Sequence, residues 1–337
     1  MEITLELTRK CPLQCSFCSS NAHPSYVHHV ETCQWMELID QSLALGARKI
    51  CLSGGEPLEY PGYLSLLEHI RNAGLKLAVY TSGIVIKGEN SRLSIPDDRT
   101  LETTAHLADE VVFGLHGPMG IHDRLTRTPG SFRFTTTALR RIRNMGGSCS
   151  IHFVPLKANI EHLDKVIDFA LNEGLSQVSL LRFVPQGRGL LNKDSLELTK
   201  KDLTQFTRKI ENLSQKETSI LRLGTPFSFL NLGSRDGCSL GNRMTILSDG
   251  RLSLCEALKD DLLLKGAPNA LEVSLKTAWQ SDWTKGWLET GKKIRSRLLE
   301  SKLDSCPAQI IRIEHESLEL SSRIISCQKP EVLQHDR

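Results

Sequence analysis

Three cysteines, Cys11, Cys15 and Cys18, form a C-x-x-x-C-x-x-C run near the start of this 337-residue chain. Three thiolates in one short loop can hold three corners of a cubane iron–sulfur cluster, leaving the fourth iron without a protein ligand. An open position on a metal is where a substrate or cofactor binds, as in catalytic zinc sites. A zinc knuckle is the alternative for the same loop. It favours C-x-x-C pairs and would need a fourth ligand such as His23 or His28. Phe17, just before the last cysteine, suits a cluster edge shielded from water. Downstream, Lys49 to Pro57 read K-I-C-L-S-G-G-E-P. A short apolar strand runs into Gly54 and Gly55, whose missing side chains permit close backbone approaches. Glu56 supplies a carboxylate, and Pro57 then fixes the chain direction.

Taken together, the two segments resemble the radical S-adenosylmethionine (SAM) superfamily. The resemblance implies a [4Fe–4S] cluster on Cys11, Cys15 and Cys18, with SAM chelating the free iron through its amine and carboxylate. It gives Gly54, Gly55, Glu56 and Pro57 the SAM amine to bind. It further implies one-electron cleavage of SAM to methionine and a 5′-deoxyadenosyl radical, which abstracts a hydrogen from an unactivated carbon. The cofactor carries that step, while the protein sets distance, electronics and exclusion of water. Such chemistry calls for a low-potential electron donor such as flavodoxin or ferredoxin and for a reducing cytoplasm. The ten cysteines are then not a disulfide framework, despite their even count.

The elements that must position these residues alternate through about residue 185. Strands are predicted over Ile3–Leu7, Ile50–Ser53, Lys76–Tyr80, Glu110–Leu115, Ser148–Val154 and Gln177–Val184. Helices are predicted over Glu31–Leu45 (Trp35, Met36, Ile39 and Leu43 on one face), Tyr63–Asn72, Phe132–Asn144 and Leu163–Asn172. The β-α alternation implies parallel strands with right-handed crossovers. The resemblance makes of them a partial (β/α)6 TIM-like barrel. Functional residues of such barrels sit at the C-terminal strand ends, where the cysteine loop, Gly54–Pro57, Ser82 and His116 all fall. His116 either meets the cofactor or caps its strand by hydrogen bonds. His122-Asp123-Arg124 reads as a solvated turn. Arg182, charged within an apolar strand, needs a partner if it faces inward, and a cofactor carboxylate would serve. Cys33, Cys51 and Cys149 read as core residues.

Residues 185 to 200 look like a linker, followed by an amphipathic helix over Leu198–Leu213. Asp249-Gly250 between two apolar runs signals a hairpin. Trp279, Trp283 and Trp287 read as the packing stripe of one helix. This C-terminal part resembles the SPASM and twitch extensions of radical SAM enzymes. The resemblance assigns an auxiliary iron–sulfur cluster to Cys238, Cys255 and Cys306, with Cys327 as its fourth ligand or a leftover. Two features of a full SPASM domain are missing: a cysteine upstream of Cys238 and a C-x-x-C pair before Cys306. A second auxiliary cluster therefore cannot be completed, and structural zinc on the same four cysteines is the alternative. The expected organisation is a barrel over 1–190, a linker helix over 191–220 and a twitch/SPASM-like α+β domain over 221–337.

Composition fits a soluble enzyme. Hydrophobic residues make up 39% and charged residues 24%, so a large core is feasible. A net charge of +3 is too mild to argue for nucleic acid. No apolar run approaches a membrane span of roughly 18 residues, and Glu2, Glu6, Arg9 and Lys10 interrupt any signal peptide. Three functions compete: modification of a ribosomally made peptide, oxidation or rearrangement of a small metabolite or cofactor precursor, and a non-enzymatic metal-binding module. The last leaves the glycine turn and the barrel alternation idle. Peptide maturases often carry a leader-binding domain, and only ten residues precede Cys11. A maturase here would bind its peptide directly or through a separate leader-binding protein.

Overall fold

The computed structural model describes residues 1–27, 29–88, 92–215, 220–223, 241–259, 261–301, 310 and 311. Strands β1 (Glu2–Glu6), β2 (Lys49–Ser53) and β3 (Lys76–Thr81) alternate with helices α1 (Thr32–Ala44) and α2 (Tyr63–Asn72). A small hairpin, β4 (Val85–Lys87) and β5 (Arg92–Ser94), and helix α3 (Asp98–Leu107) precede β6 (Glu110–Gly114). Then come α4 (Met119–Thr126), α5 (Ser131–Asn144), β7 (Cys149–Phe153), α6 (Leu163–Asn172) and β8 (Val178–Leu180). Short helices α7 (Arg188–Leu191) and α8 (Lys193–Leu196) lead into α9 (Lys200–Gln215) and β9 (Leu221–Leu223). The chain continues with β10 (Arg243–Ile246), β11 (Leu252–Ser253), α10 (Leu275–Trp279) and α11 (Asp282–Ser301).

Among the described residues nine strands form one sheet in the order β11-β10-β1-β2-β3-β6-β7-β8-β9. Every pair is parallel except β10–β11. Among the described residues the sheet ends at β9 and β11, which gives an open, partial barrel. The Asp249-Gly250 hairpin forms, and its first strand extends the same sheet, with Ile3 opposite Met244.

Period-2 alternation explains what each face does. One set of residues (Ile3, Leu5, Ile50, Leu52, Leu77, Val79, Val111, Phe113, Ile151 and Phe153) joins a single apolar core. Trp35, Leu38 and Ile39 of α1, Leu66 and Ile70 of α2 and Leu139 and Ile142 of α5 pack into it. The alternate set is mostly polar (Thr4, Glu6, Tyr80, Glu110, Ser150, His152, Ser179 and Thr245), with Cys51, Ala78 and Val112 among them. Parallel sheets are normally apolar on both faces, so a face this rich in polar side chains departs from the usual pattern.

Several expectations need correction. Leu43 is exposed, and Leu38 with Ser42 takes its place on the buried face of α1. Cys51 and Cys149 are buried, but Cys33 is exposed on α1. Arg182 lies beyond the end of β8 at Leu180 and is half-buried. The tryptophans belong to two helices: Trp279 closes α10 against the main core, whereas Trp287 of α11 packs with Ala257, Leu258 and Ile294. Among the described residues no helix is long and apolar enough to cross a membrane.

Candidate active site

Strand β1 delivers the chain to the cysteine loop, whose backbone is tied down along its length. Cys11 N donates to His23 O, Ser16 N to Leu125 O at 2.9 Å and Cys18 N to Cys15 O at 3.2 Å. The three cysteines share one small apolar cluster with Leu13, Ala22 and Ile84. Burial pushes the Cys15 thiol up to about 12, and raises the Cys11 thiol as well. The Arg188 guanidinium pulls the other way at Cys15.

Three thiols on one short loop are a donor set that an iron–sulfur cluster would take. Among the described residues no three His, Cys, Asp or Glu side chains converge as one metal ion requires. A zinc site needs its sulfurs about 2.3 Å from one atom, whereas a cubane spreads its thiolates over separate irons. The buried thiols must lose protons on binding such a group, so uptake releases protons.

The glycine turn after β2 is laid directly on this loop. Gly55 N donates to Thr8 O at 2.6 Å and Glu56 N to Lys10 O at 2.8 Å. A Cβ on Gly54 would sit 2.5 Å from Thr8 O, and one on Gly55 would overlap Lys10 O. Gly54 also has a φ of +129°, which side chains disfavour. Both glycines are therefore required by backbone contact. Pro57 opens a short 3-10 turn capped by the Glu56 side chain.

Glu56 is fully buried and binds across to the end of β3. Its Oε1 accepts from Thr81 Oγ1 at 2.5 Å and Leu58 N at 3.2 Å, and its Oε2 accepts from Ser82 N at 2.8 Å and Ser82 Oγ at 2.5 Å. Desolvation still raises its carboxyl from the usual range to about 7, opposed by these hydrogen bonds. The sequence reading selected Ser82 and Glu56 separately. The structure joins them and adds Thr81, a partner that strand-end position alone would have suggested.

His116, after β6, caps strand ends. Its Nδ1 accepts from Val154 N at 3.3 Å, and Asn159 Nδ2 donates to its carbonyl at 3.1 Å. Its ring meets Phe17 of the cysteine loop edge-on at 4.6 Å. Burial holds it well below the ordinary histidine range, so it is neutral. His122-Asp123-Arg124 is no solvated turn. His122 is buried on α4 and accepts from His116 N, while Asp123 caps the next helix by accepting from Gly130 N, Ser131 Oγ and Phe132 N.

Beside β1, Lys259 forms a buried ion pair with Glu6 and a second with Glu256 at 2.6 Å. Glu6 also accepts from Ser20 at the end of the cysteine loop, at 3.0 Å. The neighbouring Cys255 is half-buried, and its carbonyl accepts from Leu258 N at 2.8 Å. Cys238, Cys306 and Cys327 lie outside the described residues.

The radical SAM superfamily model matches residues 5–170. The PqqA peptide cyclase of Gluconobacter oxydans (strain 621H) is 24% identical over 283 residues, covering 83% of this chain and 76% of that protein. The PqqA peptide cyclase of Streptomyces rochei is 26% identical over 193 residues, 57% of this chain and 50% of its own length. In fold, the chain is similar to Streptococcus suis SuiB bound to S-adenosylmethionine. The TM-score is 0.68 at 18% identity, covering 86% of this chain and 68% of SuiB. It is also similar to native anSMEcpe with bound AdoMet and Cp18Cys peptide, at a TM-score of 0.66 and 14% identity, covering 86% of this chain and 83% of that one.

Proposed function

We propose that this chain, an enzyme of the radical SAM superfamily, modifies a ribosomally made peptide. The observation that carries the enzymatic part is the junction of three strand ends. The cysteine loop after β1, the Gly54–Pro57 turn after β2 and Thr81-Ser82 after β3 are bonded to one another. Cys11, Cys15 and Cys18 would hold a [4Fe–4S] cluster, and the turn at Glu56 would take the SAM ammonium by a charge-assisted hydrogen bond. When bound, these cofactors supply one-electron cleavage of SAM and a 5′-deoxyadenosyl radical for hydrogen abstraction.

The residues of the chain do the rest. Phe17 and the apolar neighbours of the cysteines exclude water from the loop. Neutral His116 locks the ends of β6 and β7 beneath Phe17. The polar face, with Glu6, Tyr80, Glu110 and His152, lines the side on which a substrate would lie. The peptide assignment draws on the PqqA peptide cyclases and on the structure of SuiB bound to the precursor peptide SuiA. The segment from residue 221 we assign to a twitch/SPASM-like unit joined to the core through β10 and β11, with one auxiliary cluster involving Cys255. An electron donor of low potential, and a separate leader-binding protein if the peptide has a leader, complete the system.

The test pairs anaerobically reconstituted enzyme, SAM and a one-electron reductant with candidate peptides from any short reading frame found beside its gene. Formation of 5′-deoxyadenosine together with a mass change in the peptide is expected. Turnover on a small metabolite, with the peptide unchanged, would replace this reading with the metabolite one.

A further inference from the structure

Residues 186–192, which the sequence presents as a linker, run across the cysteine loop. Arg188 Nε donates to Cys15 O at 3.0 Å, and its Nη1 donates to Ala22 O at 2.6 Å and Asn21 Oδ1 at 3.3 Å. Asn192 Nδ2 donates to Ser16 O at 3.1 Å, and Gly189 N to Cys18 O at 3.4 Å. The approach is tight: a Cβ on Gly187 would lie 2.6 Å from Ser19 O and 2.7 Å from Cys18 O, and its φ is +55°. At the other end, buried Gln186 donates to Glu256 O at 2.7 Å and accepts from Lys259 N at 3.0 Å. The strap is thus anchored both on the cysteine loop and on the turn after β11.

We propose that Arg188 is a positioning residue for the iron–sulfur cluster held by Cys11, Cys15 and Cys18, setting both the shape of the loop and the ease of cluster reduction. A planar guanidinium can fix two carbonyls at once, where an ammonium makes a point contact. Here the two carbonyls, Cys15 and Ala22, bracket the final cysteine. The remaining nitrogen, Nη2, is buried without a hydrogen-bond partner. A buried donor is costly unless satisfied, and an anionic sulfur in the loop is an acceptor of the right charge. The added electron in a reduced cluster is stabilised by a fixed cation nearby.

The inference rests on the cluster assignment above, and the experiment separates the two. Parent, Arg188→Met and Arg188→Lys proteins are reconstituted anaerobically. Iron affinity is read by chelator competition, and the midpoint potential is read from the electron paramagnetic resonance signal that responds to SAM. In the Met variant iron affinity should fall roughly 10- to 100-fold, as for lost supporting contacts around a metal site, and the potential should become more negative. The Lys variant should keep a potential near that of the parent, yet still lose iron affinity. Parent-like iron affinity in both variants overturns the positioning role, and an unchanged potential in the Met variant overturns the electrostatic one. If circular dichroism shows the Met variant unfolded, the Lys variant and Asn192→Ala carry the same test of positioning. A parent that takes up no SAM-responsive cluster overturns the cluster assignment itself.

Discussion

The loop of Cys11, Cys15 and Cys18 follows β1, and the turn of Cys255 follows the hairpin paired beside β1, yet the two are supported differently. The first is bonded to β2 through Gly55 and Glu56, to α4 through Leu125, and to the strap through Arg188. The second rests on a local turn, on Gln186 and on a small apolar cluster with Ala257, Leu258 and Ile294. Contiguous ligands can be held ready by their own loop, because little chain has to be ordered to gather them. The auxiliary ligands proposed between Cys238 and Cys327 are far apart in sequence and would have to close long loops, an entropic cost that binding would have to offset. On the proposed assignments, the first site would be preorganised and the second would depend on what binds there.

The link between the regions is the place to break this comparison. Lys259→Met leaves Glu6 buried beside a vacated partner, and losing one member of a buried pair costs about 3–5 kcal/mol. Glu256 is half exposed and contributes less, so Glu6 dominates the effect. A fall in thermal midpoint of the apoprotein, relieved by Glu6→Gln in the same chain, is the expected result. An unchanged midpoint would show that the two regions are energetically separate.

Glu56 sharpens the comparison inside the first region. Glu56→Gln should weaken SAM binding by roughly 1.5–3 kcal/mol, the range for a hydrogen bond to a charged group, with iron content retained. A carboxyl raised to about 7 in the folded protein also has a pH signature. Only its ionised form attracts the ammonium, so SAM affinity should drop up to about tenfold per pH unit below about 7. The sign is opposite for the fold: this acid binds its proton more tightly when folded, so stability declines as pH rises from the ordinary carboxyl range to about 7. Calorimetric titration of SAM across that range checks it, and a flat profile would remove Glu56 from the ammonium site. The smallest effect belongs to the second region. Cys255→Ala should lower total iron while leaving the SAM-responsive signal intact, and loss of that signal would mean the two sites are one.

Much of this was legible in residue order. The ends of β1, β2, β3, β6 and β7 to within a residue, the helices Tyr63–Asn72 and Leu163–Asn172, and the turn at Glu56 all have local signatures in spacing, caps and glycines, whereas the expected strand Gln177–Val184 stops at Leu180. The β4–β5 hairpin escaped because strands of three residues carry too little alternation to read. His122 and Asp123 looked solvated because their partners, His116 and the start of α5, are set by packing. The strap escaped for a stronger reason: Arg188 meets Cys15 across 173 residues of chain, and nothing local marks such a contact. Gly187 was visible as a glycine, but its need for a positive φ against Cys18 appears only once the chains are brought together.

The central claim is that Cys11, Cys15 and Cys18 hold the cluster at which SAM binds. It is tested most directly by electron paramagnetic resonance of the reduced, reconstituted protein with and without SAM, in the parent and in the variant with all three cysteines changed to alanine. In the parent, a signal that shifts on adding SAM is expected. In the variant that signal should be absent, and 5′-deoxyadenosine should no longer form, while any iron held at Cys255 persists. A SAM-responsive signal surviving in the triple variant would contradict it.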